Sequence, residues 1–118
     1  MSRSPQPYAC GVDAAIDVIS GKWKAYILWR MADGPKRFGE LRRLVPGITE
    51  RVLIRHLREL EADEIVLRTE FAQVPPKVEY SLTPAGVALN AALEPLADWG
   101  HERMDRIAAA RQPATRTG

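Results

Sequence analysis

The stretch Thr49-Glu50-Arg51-Val52-Leu53-Ile54-Arg55-His56-Leu57-Arg58-Glu59-Leu60-Glu61-Ala62 decides how this chain is read. At about 100° per residue, Leu53, Leu57 and Leu60 fall within one arc of about 60°, and Arg51, Arg55 and Arg58 fall within a second arc on the opposite side. His56 lies on the flank of the leucine arc, and Glu50 and Ile54 border its other side. Thr49 is a good N-cap, and Ile48 before it can staple onto Leu53. The pattern predicts a helix to about Ala62 with one face for a core and an opposite face of arginine.

Working outward, Pro46-Gly47 turns the chain sharply in front of this helix. A short helix is expected before the turn, from about Gly39 to Val45, with Leu41, Leu44 and Val45 inward. Behind it come two β-rich stretches, Ile65–Ala72 and Lys77–Leu82, joined by Gln73-Val74-Pro75-Pro76. Two consecutive prolines exclude helix there, so a hairpin with a stiff tip is expected. Two helices across a tight glycine-containing turn, followed by a hairpin, spell a winged helix-turn-helix.

Further out, Val12, Ala15, Ile16 and Ile19 recur at helical spacing up to Ser20-Gly21. A second stripe of Trp23, Ile27, Leu28 and Met31 ends at Asp33-Gly34-Pro35. Thr83-Pro84 opens a long last helix carrying Leu89, Leu93, Leu96 and Ile107 with Trp99 beside them, which Pro95 is expected to kink or split. The fold class expected is mainly α with a small β-hairpin wing (α+β). Residues 1–9 read as a flexible arm, 10–110 as a single domain and 111–118 as a disordered tail.

With 118 residues, 46% hydrophobic and 27% charged, the chain is the size of one globular domain. No apolar run reaches the ~18 residues of a membrane span. Met1-Ser2-Arg3-Ser4-Pro5-Gln6-Pro7 has no signal-peptide core, so a cytoplasmic location is expected, with no membrane partner. A single cysteine excludes a disulfide framework within the chain. His56 and His101 lack metal-ligand spacing, Gly21-Lys22 lacks the upstream glycine of a phosphate loop, and no nucleophile–base set is visible. No enzyme, metal or cofactor is expected. Trp23, Tyr26 and Trp29 read as core, though they could border a small pocket.

The net charge of +2 conceals a polarity along the chain. Residues 35–58 hold seven cations, Lys36, Arg37, Arg42, Arg43, Arg51, Arg55 and Arg58, against Glu40 and Glu50. The next six residues hold Glu59, Glu61, Asp63 and Glu64. A basic segment inside a near-neutral chain points to one polyanion-facing surface. The bland reading is a solvated face; the turn ahead of the arginine helix favours double-stranded DNA. Residues near the helix N-terminus enter the major groove deepest, so Thr49, Arg51, Ile54 and Arg55 are the candidates for base edges, with Glu50 beside them. Lys36, Arg37, Arg42, Arg43 and Arg58 are expected on phosphate, and the wing residues Pro75, Pro76 and Lys77 on a flanking groove.

Several segments then resemble one known family: Cys10, Gly21-Lys22-Trp23, Lys36-Arg37-Phe38, Glu40-Leu41-Arg42, Pro46-Gly47-Ile48, Arg51-Val52-Leu53 and Leu57-Arg58-Glu59-Leu60-Glu61. The run Val74-Pro75-Pro76-Lys77-Val78-Glu79-Tyr80-Ser81-Leu82-Thr83 with Gly86 is the most specific, and the match continues to Trp99-Gly100. Together they look like the HxlR-type bacterial transcriptional regulators. The resemblance implies a homodimer joined through its first and last helices, acting as a repressor or activator at an operator. It also implies a candidate redox or electrophile sensor at Cys10. One departure is Asp63-Glu64-Ile65, where the family has glycine in the middle position.

The apolar residues Val12, Ile16, Ile19, Leu89, Leu93, Leu96 and Ile107 would leave a monomer with a sizeable exposed patch, which fits dimerisation. A two-fold dimer predicts a palindromic operator, with half-sites about 34 Å apart or a multiple of that. Two rival readings stand beside this one. In the first, a winged helix serves protein–protein assembly and its arginine face meets an acidic partner. In the second, a small-molecule inducer triggers the regulator and no cysteine switch exists, the thiol of Cys10 being a packed hydrophobe.

Overall fold

The computed structural model describes residues 8–112. Its elements are α1 (Gly11–Val18), α2 (Lys24–Arg30), α3 (Phe38–Leu44), α4 (Glu50–Ala62), β1 (Val66–Phe71), β2 (Lys77–Leu82) and α5 (Pro84–Arg111). Most of the expected arm and tail lies outside the described residues. Two residues of the arm are tied to α1: the Tyr8 hydroxyl bonds the Asp17 carboxylate, and the Ala9 amide donates to Asp13 Oδ2 at 3.2 Å.

The core forms where the apolar arcs of three helices meet. Ile27, Leu28 and Met31 of α2 and its C-cap, Leu41 and Val45 at α3, and Leu53, Leu57 and Leu60 of α4 are all buried. Ile48 and Leu53, the expected staple, are both in this cluster, and the Thr49 hydroxyl caps α4 by accepting from the Val52 amide at 3.2 Å. Glu40 closes the start of α3 by accepting from the Arg37 amide at 2.7 Å. Gly47, at φ 92°, makes the turn into α4.

The wing is an antiparallel pair running from Val66 opposite Leu82 to Phe71 opposite Lys77. The extended residue Lys36 adds one bridge to its inner edge, exchanging backbone bonds with Tyr80 at 2.9 and 2.8 Å. That bridge ties the wing to the start of α3 and fixes its position relative to the helices.

α5 runs unbroken through Pro95, so the split expectation is corrected. A proline inside a helix removes one backbone bond, and the intact turns on both sides carry the axis through. The first half of α5 packs on the domain through Gly86, Asn90 and Leu93. Asn90 Nδ2 donates to the Leu28 carbonyl at 2.6 Å and pins α5 to α2. Beyond Leu93 the helix leaves the core, and Leu96, Trp99 and Met104 are more than half exposed. On α1, Val12 and Ile16 are likewise exposed.

Two sequence expectations about apolar residues need correction. Leu93 is a core residue and Leu89 and Ile19 pack against the core, so the free apolar surface is narrower than expected. Tyr26 and Trp29 are not core: both are over a third exposed and face the groove between α2 and α5.

Candidate nucleic-acid interface

The leucine arc of α4 faces inward, so geometry alone turns Arg51, Arg55 and Arg58 outward. All three are exposed, and among the described residues none forms an ion pair or a side-chain hydrogen bond. Together with Thr49, Glu50 and Ile54 they line one open groove along the helix. Ile54 is half-buried, between this groove and a second one shared with Phe38 of α3 and with Arg68 and Tyr80 of the wing. The Thr49 oxygen is occupied by the cap, which leaves its hydroxyl proton free to donate.

Arg37, Arg42 and Arg43, at the two ends of α3, are also exposed, and their guanidinium groups form no ion pair or hydrogen bond among the described residues. Lys36 differs from its neighbours. Its ammonium sits 2.5 Å from Asp33 Oδ1 and 3.1 Å from the Gly34 carbonyl, with the side chain largely covered. The Lys36 hydrogen bond and charge hold the Asp33 carboxyl below its usual range. Sequence reasoning treated all cations of this segment alike, because a local i, i+3 pair is not distinguishable there from a free charge. Lys77 is half-buried, 3.3 Å from Glu79 Oε2 and over the Phe71 ring at 4.9 Å. Pro75 and Pro76 are exposed at the wing tip, next to Val74.

One charged cluster under α4 escaped the sequence reading. Lys24 is 3% exposed, and its ammonium meets Glu59 Oε1 at 2.7 Å. His56 is buried beside it, with Nδ1 3.5 Å from the same oxygen, too long for a good hydrogen bond. The Lys24 hydrogen bond lowers the Glu59 carboxyl, and burial is the main cause that lowers His56, against a smaller opposing effect of Glu59. A signal was present: Lys24, Ile27, Leu28 and Met31 are spaced i, i+3, i+4, i+7, which puts the lysine on the core face.

Cys10 caps α1 and is exposed as a free thiol. The first two cations that follow it in sequence are engaged elsewhere, Lys24 by Glu59 and Lys22 by the Trp23 ring at 4.8 Å. Among the described residues no group of His, Cys, Asp and Glu is arranged to hold a metal, and no helix is long and apolar enough to cross a membrane.

Three packed helices with a tight turn before an arginine-faced α4, and a two-stranded wing after it, define a winged helix-turn-helix protein. The HxlR-like helix-turn-helix family matches residues 18–108, and the chain belongs to that family of DNA-binding transcriptional regulators, which are not enzymes. It is 47% identical over 106 residues to the HTH-type transcriptional regulator YdeP of Bacillus subtilis (strain 168), covering 87% of this chain and 83% of the relative. Among solved structures it is similar to the redox regulator HypR in its reduced form, with a TM-score of 0.79, 48% identity, and coverage of 85% of this chain and 99% of the other. Diamide-treated YodB from B. subtilis is similar at a TM-score of 0.69 and 35% identity, over 79% and 93% of the two chains.

Proposed function

We propose that this regulator binds a palindromic operator as a homodimer, with α4 of each subunit in a major groove. The observation that carries the reading is the set of three exposed, unpartnered guanidinium groups opposite the leucine arc. Arg51 and Arg55 take base edges, since a guanidinium offers guanine O6 and N7 two parallel hydrogen bonds. Thr49 and Ile54 complete that surface. Arg37, Arg42, Arg43 and Arg58 hold phosphate, and Pro75, Pro76 and Lys77 lie along the flanking groove. Lys36 keeps its ammonium on Asp33 and serves the wing through its backbone bridge.

The partner subunit covers the apolar residues left exposed on α1 and α5, among them Val12, Ile16, Leu96, Trp99 and Met104. Cys10 answers an oxidant or electrophile, a role supported by its exposure at the head of α1 and by the likeness to redox regulators. Operator release by a thiol oxidant is expected in the wild type and not in Cys10→Ser; equal release in both removes the cysteine from the trigger.

The test of the DNA reading is titration of the chain against the DNA upstream of its own gene at several salt concentrations. Arg51→Ala and Arg55→Ala each cost about 1–3 kcal/mol of operator affinity and relax the sequence preference. Arg43→Ala weakens all duplexes alike and lowers the salt slope by about one. Wild-type behaviour of all three variants would falsify the assignment of this face. Binding with no preference above the electrostatic background turns the choice to the rival assembly module.

A further inference from the structure

We propose that Lys24 is a positioning residue for operator recognition: buried at the start of α2, it holds Glu59 and so fixes the rotation of α4 and keeps that carboxylate away from Arg55. The proposal rests on the reading of α4 as the DNA-contacting helix.

Glu59 stands at the boundary of the two faces of α4. On the helix wheel it lies between the buried His56 and the exposed Arg55, and Arg55 precedes it by four residues. A carboxylate at that spacing is in reach of the arginine one turn back. Here the residue lines the arginine groove but its carboxylate is taken by α2: Glu59 Oε1 is 2.7 Å from the Lys24 ammonium, whose side chain is 4% exposed. A lysine so deeply covered has few places to find a partner, so its bond is directional and sets one orientation of α4 against α2.

The apolar contacts of Leu53, Leu57 and Leu60 are non-directional, whereas the charge-assisted Lys24–Glu59 bond has a definite geometry. A guanidinium about 6 Å from the axis moves by about 2 Å when the helix turns by about 20°. That displacement exceeds what a bidentate hydrogen bond to a base accepts. Phosphate contacts are less demanding, because a mobile side chain can follow a charge. Losing the anchor therefore damages sequence preference more than total affinity.

A duplex selected from a randomised library by the wild-type chain serves as one probe, and a scrambled duplex of the same composition as the other. The ratio of the two dissociation constants reads preference, and a thermal melt reads stability. Lys24→Met lowers the ratio at least tenfold, changes binding to the scrambled duplex less than threefold, and melts earlier. Lys24→Met combined with Glu59→Gln leaves no unpaired buried charge, so its melting point returns toward that of the wild type while the ratio stays at least fivefold low. A recovered melting point together with a wild-type ratio in the double variant shows that the pair serves stability alone and overturns the proposal. A wild-type chain that selects no duplex overturns instead the DNA reading beneath it.

Discussion

Glu64 is the residue at which local backbone preference and the fold disagree most plainly. It takes φ 63°, in the left-handed region, at the end of α4. The Glu64 amide donates to the Glu61 carbonyl and the Ile65 amide to the Leu60 carbonyl, both at 2.9 Å, which is a Schellman ending, and Ile65 and Leu60 are both buried in the core cluster. Thr83 supports the strained turn from the other side, its hydroxyl donating to the Glu64 carbonyl at 2.6 Å and accepting from the Gly86 amide at 3.0 Å. Glycine removes the left-handed penalty but loosens the unfolded chain, so Glu64→Gly is expected to stabilise by about 0.5–1 kcal/mol in a denaturant melt. Gly86 has the opposite sign. A Cβ there would stand 2.3 Å from the Ile65 carbonyl oxygen, so Gly86→Ala is expected to cost about 2–3 kcal/mol. A neutral outcome for Gly86→Ala means that α5 can lift from Ile65 without loss.

At the scale of elements, α2 and α4 share both an apolar contact and a buried charge cluster, and the cluster gives their junction a pH dependence. His56 faces Glu59 and Arg55 on its own helix and Lys24 from α2, and its pKa lies below the ordinary 6.5, with burial the largest cause. The unfolded chain therefore takes up a proton at a pH where the folded one does not. The stability so contributed is whole above about pH 6.5 and falls as the pH drops from there through the folded-state value. Glu59, lowered from 4.5 chiefly by Lys24, adds a second loss at more acid pH. Melting points taken from pH 7.5 to 5 should fall for the wild type and fall less for His56→Gln. Equal slopes in the two proteins remove His56 as the source.

The whole molecule shows a division between a finished core and an unfinished exterior. Leu93 is the last buried residue of α5, yet the helix continues to Arg111, with Leu96, Trp99 and Met104 facing solvent. Arg103 lies over the Trp99 ring at 4.5 Å and shields only part of it. An apolar surface of that kind on a small domain is what the proposed two-fold dimer would cover. Sedimentation should give a dimer for the wild-type chain. Leu96→Glu together with Trp99→Glu should sediment as a 13.2 kDa monomer that still melts cooperatively and binds DNA more weakly. A wild-type chain that sediments as a monomer counts against the paired arrangement.

The helix-turn-helix and its wing were legible in the chain because each rests on a local, periodic or stereochemical signal. Leucines and arginines on opposite arcs oriented α4, Pro46-Gly47 marked the turn, and Val74-Pro75-Pro76 marked the tip of the hairpin. What only tertiary structure decided is how groups far apart in sequence spend their valences. Leu93 goes into the core while Leu96 faces the open groove that α2 and α5 enclose on to Trp29 and His101. Asn90 donates to the Leu28 carbonyl 62 positions away, and Lys24 meets a carboxylate 35 positions away. Periodicity reports which way a side chain leaves its own element. It carries no information on which oxygen waits on the next one, and that is set only when the elements pack.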